Sequence, residues 1–207
     1  MKKIILTALV AVASLAANAQ VWVGGEVGFS AGKTSIDGDK QGAGAKFNLI
    51  PEIGYSINDN FDIAIAIGLS HANYNGDNYA GTNGFDLSAD EPFGLAGGDY
   101  NRNALKINPY VRYKFAKAGD FTFFVDGGFS YTRIHYSHAQ WSDKNNATQW
   151  GVGFKPGLAY NLSEKVSLVA HVGELSYNFF KMGDLKNNEF NVGVNGNNIS
   201  LGAYVSF

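Results

Sequence analysis

Cysteine is absent, proline occurs only 4 times and methionine twice in 207 residues, and charged side chains make up only 16% of the chain. Without cysteine there is neither a disulfide framework nor a thiolate zinc site. The 16 basic and 18 acidic residues nearly cancel, leaving a formal net charge of -2 and excluding a strongly basic nucleic-acid binder. No apolar run reaches the ~20 residues that a transmembrane helix needs. What is abundant points elsewhere. The chain has 26 glycines, 14% aromatics and 45% hydrophobic residues, a composition that suits strands better than helices. Its length suffices for one domain with a full core.

The first residues form a separate object. Lys2 and Lys3 precede the 14-residue apolar stretch Ile4 to Ala17. Ala17 and Ala19 then place small side chains where a signal peptidase reads them, and Gln20 follows. The expectation is a cleaved signal peptide over residues 1–19 and an exported domain over residues 20–207, with a net charge of -4 once Lys2 and Lys3 are removed.

After Gln20 no helical apolar period persists, but period-two segments do. They cover 21–36, 44–57, 61–73, 103–115, 121–136, 148–162, 166–180 and 190–207. In the third, Phe61, Ile63, Ile65, Ile67 and Leu69 share one face; in the fifth, Phe121, Phe123, Val125, Phe129 and Tyr131 do. The phase of the seventh breaks at Gly173-Glu174, which predicts a β-bulge. The connections alternate in length. Residues 58–60, 116–120 and 163–165 are short, whereas 37–43, 75–102, 137–147 and 181–189 are longer. Short turns at one end and long loops at the other describe an all-β, eight-stranded, antiparallel up-and-down barrel that crosses a membrane. Alternation alone would also suit a soluble β-sandwich, so the opposite face decides. It carries Glu26, Glu52, Asp62, Lys106, Arg112, Asp126, Lys155 and His171, spaced by small residues such as Ala64, Ala66, Gly151 and Gly153. Balanced charges among small residues suit the narrow interior of an eight-stranded barrel, which side chains can fill. The prediction is a closed polar core and no open pore.

A seven-residue pattern recurs in the even-numbered segments. "PEIGYSI" (51–57), "PYVRYKF" (109–115) and "PGLAYNL" (156–162) align with the terminal "LGAYVSF" (201–207). The first three lead into short turns; the fourth ends the sequence. The copies place Tyr55, Tyr113 and Tyr160 at one membrane interface, where amphipathic rings prefer to lie. They also place Pro51, Pro109 and Pro156 inside strands, where each removes a ladder N–H, and local bulges are expected there.

The signal peptide, the eight alternating segments and the final apolar-x-apolar-x-Phe resemble the outer-membrane β-barrel families of Gram-negative bacteria. The size is similar to the OmpA/OmpX-type barrels and the "porin family" or "outer membrane protein beta-barrel domain" proteins. The resemblance spans the whole exported chain. It implies an integral outer-membrane protein in contact with outer membrane lipids, and a terminal strand read by the barrel assembly machinery. That strand corresponds here to Leu201, Ala203, Val205 and Phe207, with Ala203 smaller than the pattern usually has. Such families include structural, adhesive and enzymatic members, so fold does not fix function.

Three stretches invite chemistry. "GFSAGKT" (28–34) is one residue short of a phosphate-binding loop and no helix follows, so it is read as strand and loop. In "HYSH" (135–138), His135 and Ser137 share a face and resemble the His-x-Ser pair of outer-membrane lipid A deacylases, in which His acts as base and Ser as nucleophile. The next residue of that motif is Asn, where this chain has His138, and the acid that follows is missing, Asp143 being the nearest. The bland alternative is a polar strand end at headgroup level. His135 and His138 have no evident third ligand for a metal, and no cofactor is implied. Loop 75–102 holds Asp77, Asp86, Asp90, Glu91 and Asp99 against Arg102, together with Tyr79, Phe85, Phe93 and Tyr100. It is either a surface ligand-binding element or a solvated cap on the barrel. The expected role is structural or interactive at the cell surface and not catalytic. A narrow porin-like channel and a lipid A deacylase-like enzyme are the alternatives.

Overall fold

The computed structural model describes residues 20–36, 39–76, 100–138, 146–193 and 199–207. Its strands are β1 (Val21–Ile36), β2 (Asp39–Ser56), β3 (Phe61–Gly76), β4 (Tyr100–Ala118), β5 (Phe121–His138), β6 (Asn146–Asn161), β7 (Val166–Val172), β8 (Glu174–Met182), β9 (Leu185–Gly193) and β10 (Ile199–Ser206). Each neighbour pair is antiparallel, and β1 pairs with both β2 and β10. On the far side β5 pairs with β6, and β6 pairs with both β7 and β8. The sheet therefore closes on itself. β7 and β8 together make the seventh stave, and β9 and β10 the eighth, giving an eight-stranded barrel without a helix among the described residues.

The division of the seventh stave has a local cause. Gly173 takes a φ of 78°, a conformation that L side chains rarely adopt. Across it the register against β6 slips by one residue, from Gly157↔His171 to Phe154↔Leu175. The slip keeps Leu175 and Tyr177 outside and leaves Glu174 only partly exposed.

The short turns carry their own hydrogen bonds. Asn58 Oδ1 accepts from the backbone N–H groups of Asn60 and Phe61, each at 2.9 Å. Ser163 Oγ accepts from Val166 N–H at 3.1 Å. Gly119, at a φ of 59°, turns β4 into β5. Ser206 N–H donates to the Lys165 carbonyl, and Phe207 N–H to the Val21 carbonyl, so Val21 and Phe207 lie at the short-turn end.

Two expected long connections are shorter than the sequence suggests. β1 runs to Ile36, which pairs with Asp39, so most of 37–43 is strand. β8 and β9 pair as far as Met182↔Leu185 around Gly183, whose φ is 58°, so 181–189 is a tight hairpin. Polar residues such as Lys186, Asn187 and Asn188 hide these strand ends from a hydrophobicity pattern because the strands continue beyond the apolar band.

The prolines also differ from expectation. Pro51 pairs with Gly25, and Pro109 with Ile65, with no register shift. Instead the ladder lapses on one side only. Between β2 and β3 it breaks after Leu49↔Leu69 and resumes at Glu52↔Ala66 in the same register. Between β4 and β5 it lapses from Ile107↔Tyr131 to Tyr110↔Gly128. An antiparallel residue sends its N–H to one neighbour only, so a proline interrupts one ladder and spares the other. Asn108 repairs the gap by donating its side-chain Nδ2–H to the Phe129 carbonyl at 2.8 Å. Pro156 alone lies beside a slip, the one at Gly173.

The odd-phase side chains of β3, from Phe61 to Leu69, are 37% to 47% exposed, and Val27, Phe29, Val152, Phe154, Phe190, Val192 and Leu201 more so. This is the inverse of a soluble protein and fits a lipid-facing band. From Phe121 to Tyr131 is a ten-residue step. At ~3.3 Å per residue and a tilt of ~40° it spans about 25 Å along the normal, the height of such a band.

Candidate functional site: the filled bore

The residues opposite in phase to the apolar face point inward, even-numbered on β1 to β5 and odd-numbered on β6 and β7, and the bore is layered along its axis. Its central layer is ionic. The Arg112 guanidinium makes a two-pronged contact with Asp126, Nε to Oδ1 and Nη2 to Oδ2, both at 2.7 Å. His171 lies between two carboxylates, its Nδ1 2.7 Å from Glu26 Oε1 and its Nε2 2.8 Å from Asp126 Oδ2. Glu52 accepts from two hydroxyls, Tyr110 and Tyr204, the latter at 2.9 Å. All these groups are buried: Glu26 is 1% exposed, His171 3% and Arg112 4%. Buried charges of this kind need partners, and the barrel draws them from β1, β2, β4, β5, β7 and β10.

Aromatic rings fill the space around the cluster. The Arg112 guanidinium carbon lies 4.0 Å from the Phe124 ring centroid, 5.1 Å from that of Tyr204 and 5.3 Å from that of Trp22. Trp22 and Tyr204 stack at 4.6 Å. Each ring is seated on a glycine directly across the ladder, at Trp22↔Gly54, Tyr204↔Gly24 and Phe124↔Gly157. A Cβ on Gly54 would lie 2.2 Å from the Trp22 ring, and one on Gly157 2.3 Å from the Phe124 ring. These inward glycines are the vacancies into which the rings fit.

Toward the short turns the bore opens into a vestibule of about 870 Å³, walled in part by Asp62, Lys114, Trp22, Phe124 and Tyr204. Lys114 Nζ reaches Asp62 Oδ1 at 2.8 Å. On the other side of the ionic layer, Lys106 and Lys155 border a cavity of about 60 Å³ with Asn108, Ser130, Gln149, Glu174 and Asn178. Beyond it Ala72, Ala104, Ile134, Tyr136, Phe180 and Met182 pack as a buried apolar cluster.

Of the predicted interior residues, Glu26, Glu52, Arg112, Asp126 and His171 meet in one layer, Asp62 pairs below it, and Lys106 and Lys155 border the cavity above it. The interior is less uniformly polar than expected. Trp22, Ile50, Tyr110, Phe124, Ile134, Tyr136, Phe180, Met182 and Tyr204 are all buried inside. Trp22, Ile50, Tyr110, Phe124 and Tyr204 each stand alone among polar or small residues of the inner phase, where a single large apolar side chain reads as an exception to the alternation. For Trp22, Tyr110, Phe124 and Tyr204 the signal was present in their cross-strand glycines, which register alone could pair. Lys114 belongs to the same inner phase as Arg112 and pairs with Asp62, beyond the interior set expected from the sequence.

The outer face holds the other candidates. Tyr55, Tyr113 and Tyr160 are 42%, 42% and 38% exposed near the short turns. Tyr113 stacks on Phe61, and Tyr160 lies against Phe121, with centroids 4.8 Å apart in both pairs. Tyr55 donates to Gln20. Leu201, Ala203, Val205 and Phe207 are all exposed on the outside. His135 and Ser137 are exposed on β5. The His135 ring is 3.2 Å from the Asn146 side-chain oxygen, an amide in the place where a triad would put an acid. Residues 1–19, most of loop 75–102, and Asp143 lie outside the described residues, as does the side chain of His138. Among the described residues no group of three metal-binding side chains converges.

An inside filled with paired charge and an outside of bare apolar side chains fit one setting, a lipid bilayer. The model of the outer membrane protein beta-barrel domain matches residues 4–197. The chain belongs to this family. This outer membrane β-barrel protein is therefore located in the outer membrane. Among solved structures it is similar to Neisserial surface protein A, at 17% identity and a TM-score of 0.48, covering 90% of this chain and 97% of that one. It is also similar to the N-terminal β-barrel domain of Pseudomonas aeruginosa OprF, at 15% identity and a TM-score of 0.42, covering 91% and 98%. The attachment invasion locus protein Ail of Yersinia pestis is similar at 14% identity and a TM-score of 0.42, covering 91% and 97%. No curated protein sequence matches the chain.

Proposed function

We propose that this barrel is a closed structural or surface-interaction protein of the outer membrane, with its short turns and the ends of its exported chain in the periplasm. The observation that carries the reading is the ionic layer. Arg112, Asp126, His171 and Glu26 join side chains from four different staves across the bore, and Trp22, Phe124 and Tyr204 occupy the space beside them. A water-filled path would have to remove paired charges from their partners. The long connection 75–102, acidic and aromatic, is the candidate element for a surface ligand. Leu201, Ala203, Val205 and Phe207 are the candidate signal for the barrel assembly machinery, and residues 1–19 the candidate export signal.

The experiment is conductance of the purified protein in a planar bilayer, on material whose heat-modifiable gel migration shows a closed barrel. The expected outcome is a silent membrane. Stable single-channel steps would overturn the closed reading and favour the narrow channel, for which the vestibule and the cavity on either side of the ionic layer would be the two halves of the path.

A further inference from the structure

The outer face of β5, β6, β8 and β9 is not uniformly apolar. One row across these strands runs Arg133↔Thr148↔Lys181↔Lys186. Arg133, Lys181 and Lys186 are exposed, and none has an ion pair among the described residues. Lys181 and Lys186 stand directly opposite each other in the hairpin. Like charges in that position repel at a Cβ separation of about 5 Å, so the pair is unfavourable without an anion beside it. Against the three cations the hairpin offers one carboxylate on its exposed side, Asp184 in its turn.

The row stands at a definite height. The next outward row toward the short turns is Tyr131↔Trp150↔Phe179, with the Tyr131 and Trp150 rings 4.4 Å apart. Tyr and Trp collect at membrane interfaces, so the cations above them lie at the level of lipid headgroups. Beneath the aromatic row, across β4, β5, β6, β8 and β9, lies an apolar groove of about 480 Å³. Val111, Val152, Phe154, Leu175 and Phe190 wall it. Gly127, facing outward between Val111 and Phe154, lies in its floor, with the Phe154 ring leaning over it so that a Cβ there would fall 2.9 Å from the ring. From Arg133 to Gly127 is six residues along β5. At ~3.3 Å per residue and ~40° of tilt this is about 15 Å along the normal, half of a ~30 Å hydrocarbon core.

We propose that Arg133, Lys181 and Lys186 bind the phosphate of an outer-leaflet lipid whose acyl chain occupies the groove at Gly127. The two features fit one amphipathic molecule, with charge for the head and an apolar groove for the tail one leaflet deep. The lipid anion also relieves the Lys181–Lys186 repulsion. This site is on the outside of the barrel and is independent of whether the bore conducts.

Native mass spectrometry of the purified barrel in mild detergent tests it, with lipid A carrying both phosphates as the probe and its dephosphorylated form as the comparison. The wild-type protein is expected to retain one phosphorylated lipid. Each basic side chain near an anionic headgroup contributes about fivefold, so Arg133→Gln/Lys181→Gln/Lys186→Gln should lower the affinity about 100-fold. Lys117→Gln/Lys165→Gln, at the short-turn end, should leave it unchanged. Val152→Trp should weaken lipid binding with all three charges intact, by filling the groove. Heat-modifiable migration verifies that each variant is a folded barrel. Equal retention by wild type and the triple variant would overturn the proposal, as would equal retention of the dephosphorylated lipid. Displacement of the lipid by an equal concentration of inorganic phosphate would also overturn it, in favour of a small-anion site.

Discussion

Near its middle the bore is filled by Arg112, Asp126, His171, Glu26 and Glu52, whereas toward the long connections it is filled by Ala72, Ala104, Ile134, Tyr136, Phe180 and Met182. Both layers exclude solvent, but they fail differently. The apolar layer loses contacts in proportion to the atoms removed. In the ionic layer Asp126, His171 and Glu52 each join two partners, so losing one leaves a buried charge exposed to its neighbours. The difference also separates two tasks. An apolar layer fills space and tolerates repacking, while a connected polar layer fixes which staves face one another. Glu26 of β1 reaches His171 of β7, and Glu52 of β2 meets Tyr110 of β4 and Tyr204 of β10, so the layer ties first and last staves to the rest.

The largest effect expected from this contrast is at Arg112. Arg112→Met keeps much of the volume under Phe124 but takes from Asp126 its two-pronged partner and leaves it His171, and breaking one partner of a buried pair costs about 3–5 kcal/mol. Ile134→Val, in the apolar layer, removes one methylene and costs about 1 kcal/mol. Urea unfolding of the two variants in lipid vesicles, followed by tryptophan fluorescence, measures both. Similar losses would mean that water entering from the cavity beside Lys106 and Lys155 solvates the stranded carboxylate, and the contrast between the layers would collapse.

A smaller loss is expected from the seat of a ring. Gly157→Val places a branched side chain where a Cβ already lies 2.3 Å from Phe124, and overpacking of this kind costs about 1–3 kcal/mol. Phe124 must then leave the Arg112 face. Phe124→Leu in the same chain should recover part of the loss by making room, a coupling that the unfolding midpoints of the two single variants and the double variant would reveal. Additive losses would show that the glycine serves the strand and not the ring.

Much of this architecture was legible in the sequence because lipid and bore impose opposite demands on alternate residues. Phe61 to Leu69 and Phe121 to Tyr131 announce a lipid-facing phase, and Glu52, Arg112, Asp126 and His171 an inner one. The slip at Gly173 was legible because Glu174 would otherwise have joined the apolar face. Three things were not. Strand ends beyond the membrane, as at 37–43 and 181–189, carry no apolar signal. The inward rings of Trp22, Phe124 and Tyr204 acquire meaning only through register, since Gly54, Gly157 and Gly24 lie on other strands and the pairing partner is not written locally. The row Arg133, Lys181 and Lys186 is scattered over three strands, so each cation reads alone as a solvated strand end.

The smallest expected effect on stability separates packing from assembly at the terminal strand. Phe207 and Ile57 both face outward near the short turns, 40% and 50% exposed. Replacing either by Ser removes a similar apolar contact with lipid, so the folded barrels should unfold at midpoints within about 1 kcal/mol of each other. Only Phe207 belongs to the set Leu201, Ala203, Val205 and Phe207 proposed above as the signal for the barrel assembly machinery. Phe207→Ser should therefore lower the yield of heat-modifiable barrel in outer-membrane fractions more than Ile57→Ser does, although the two are matched once folded. Tyr204 sharpens the comparison from inside the same strand, because Tyr204→Phe should lower stability by losing its hydroxyl contact with Glu52 while leaving the outward row intact. Equal yields for the Phe207 and Ile57 variants would reduce Phe207 to one more lipid-facing side chain.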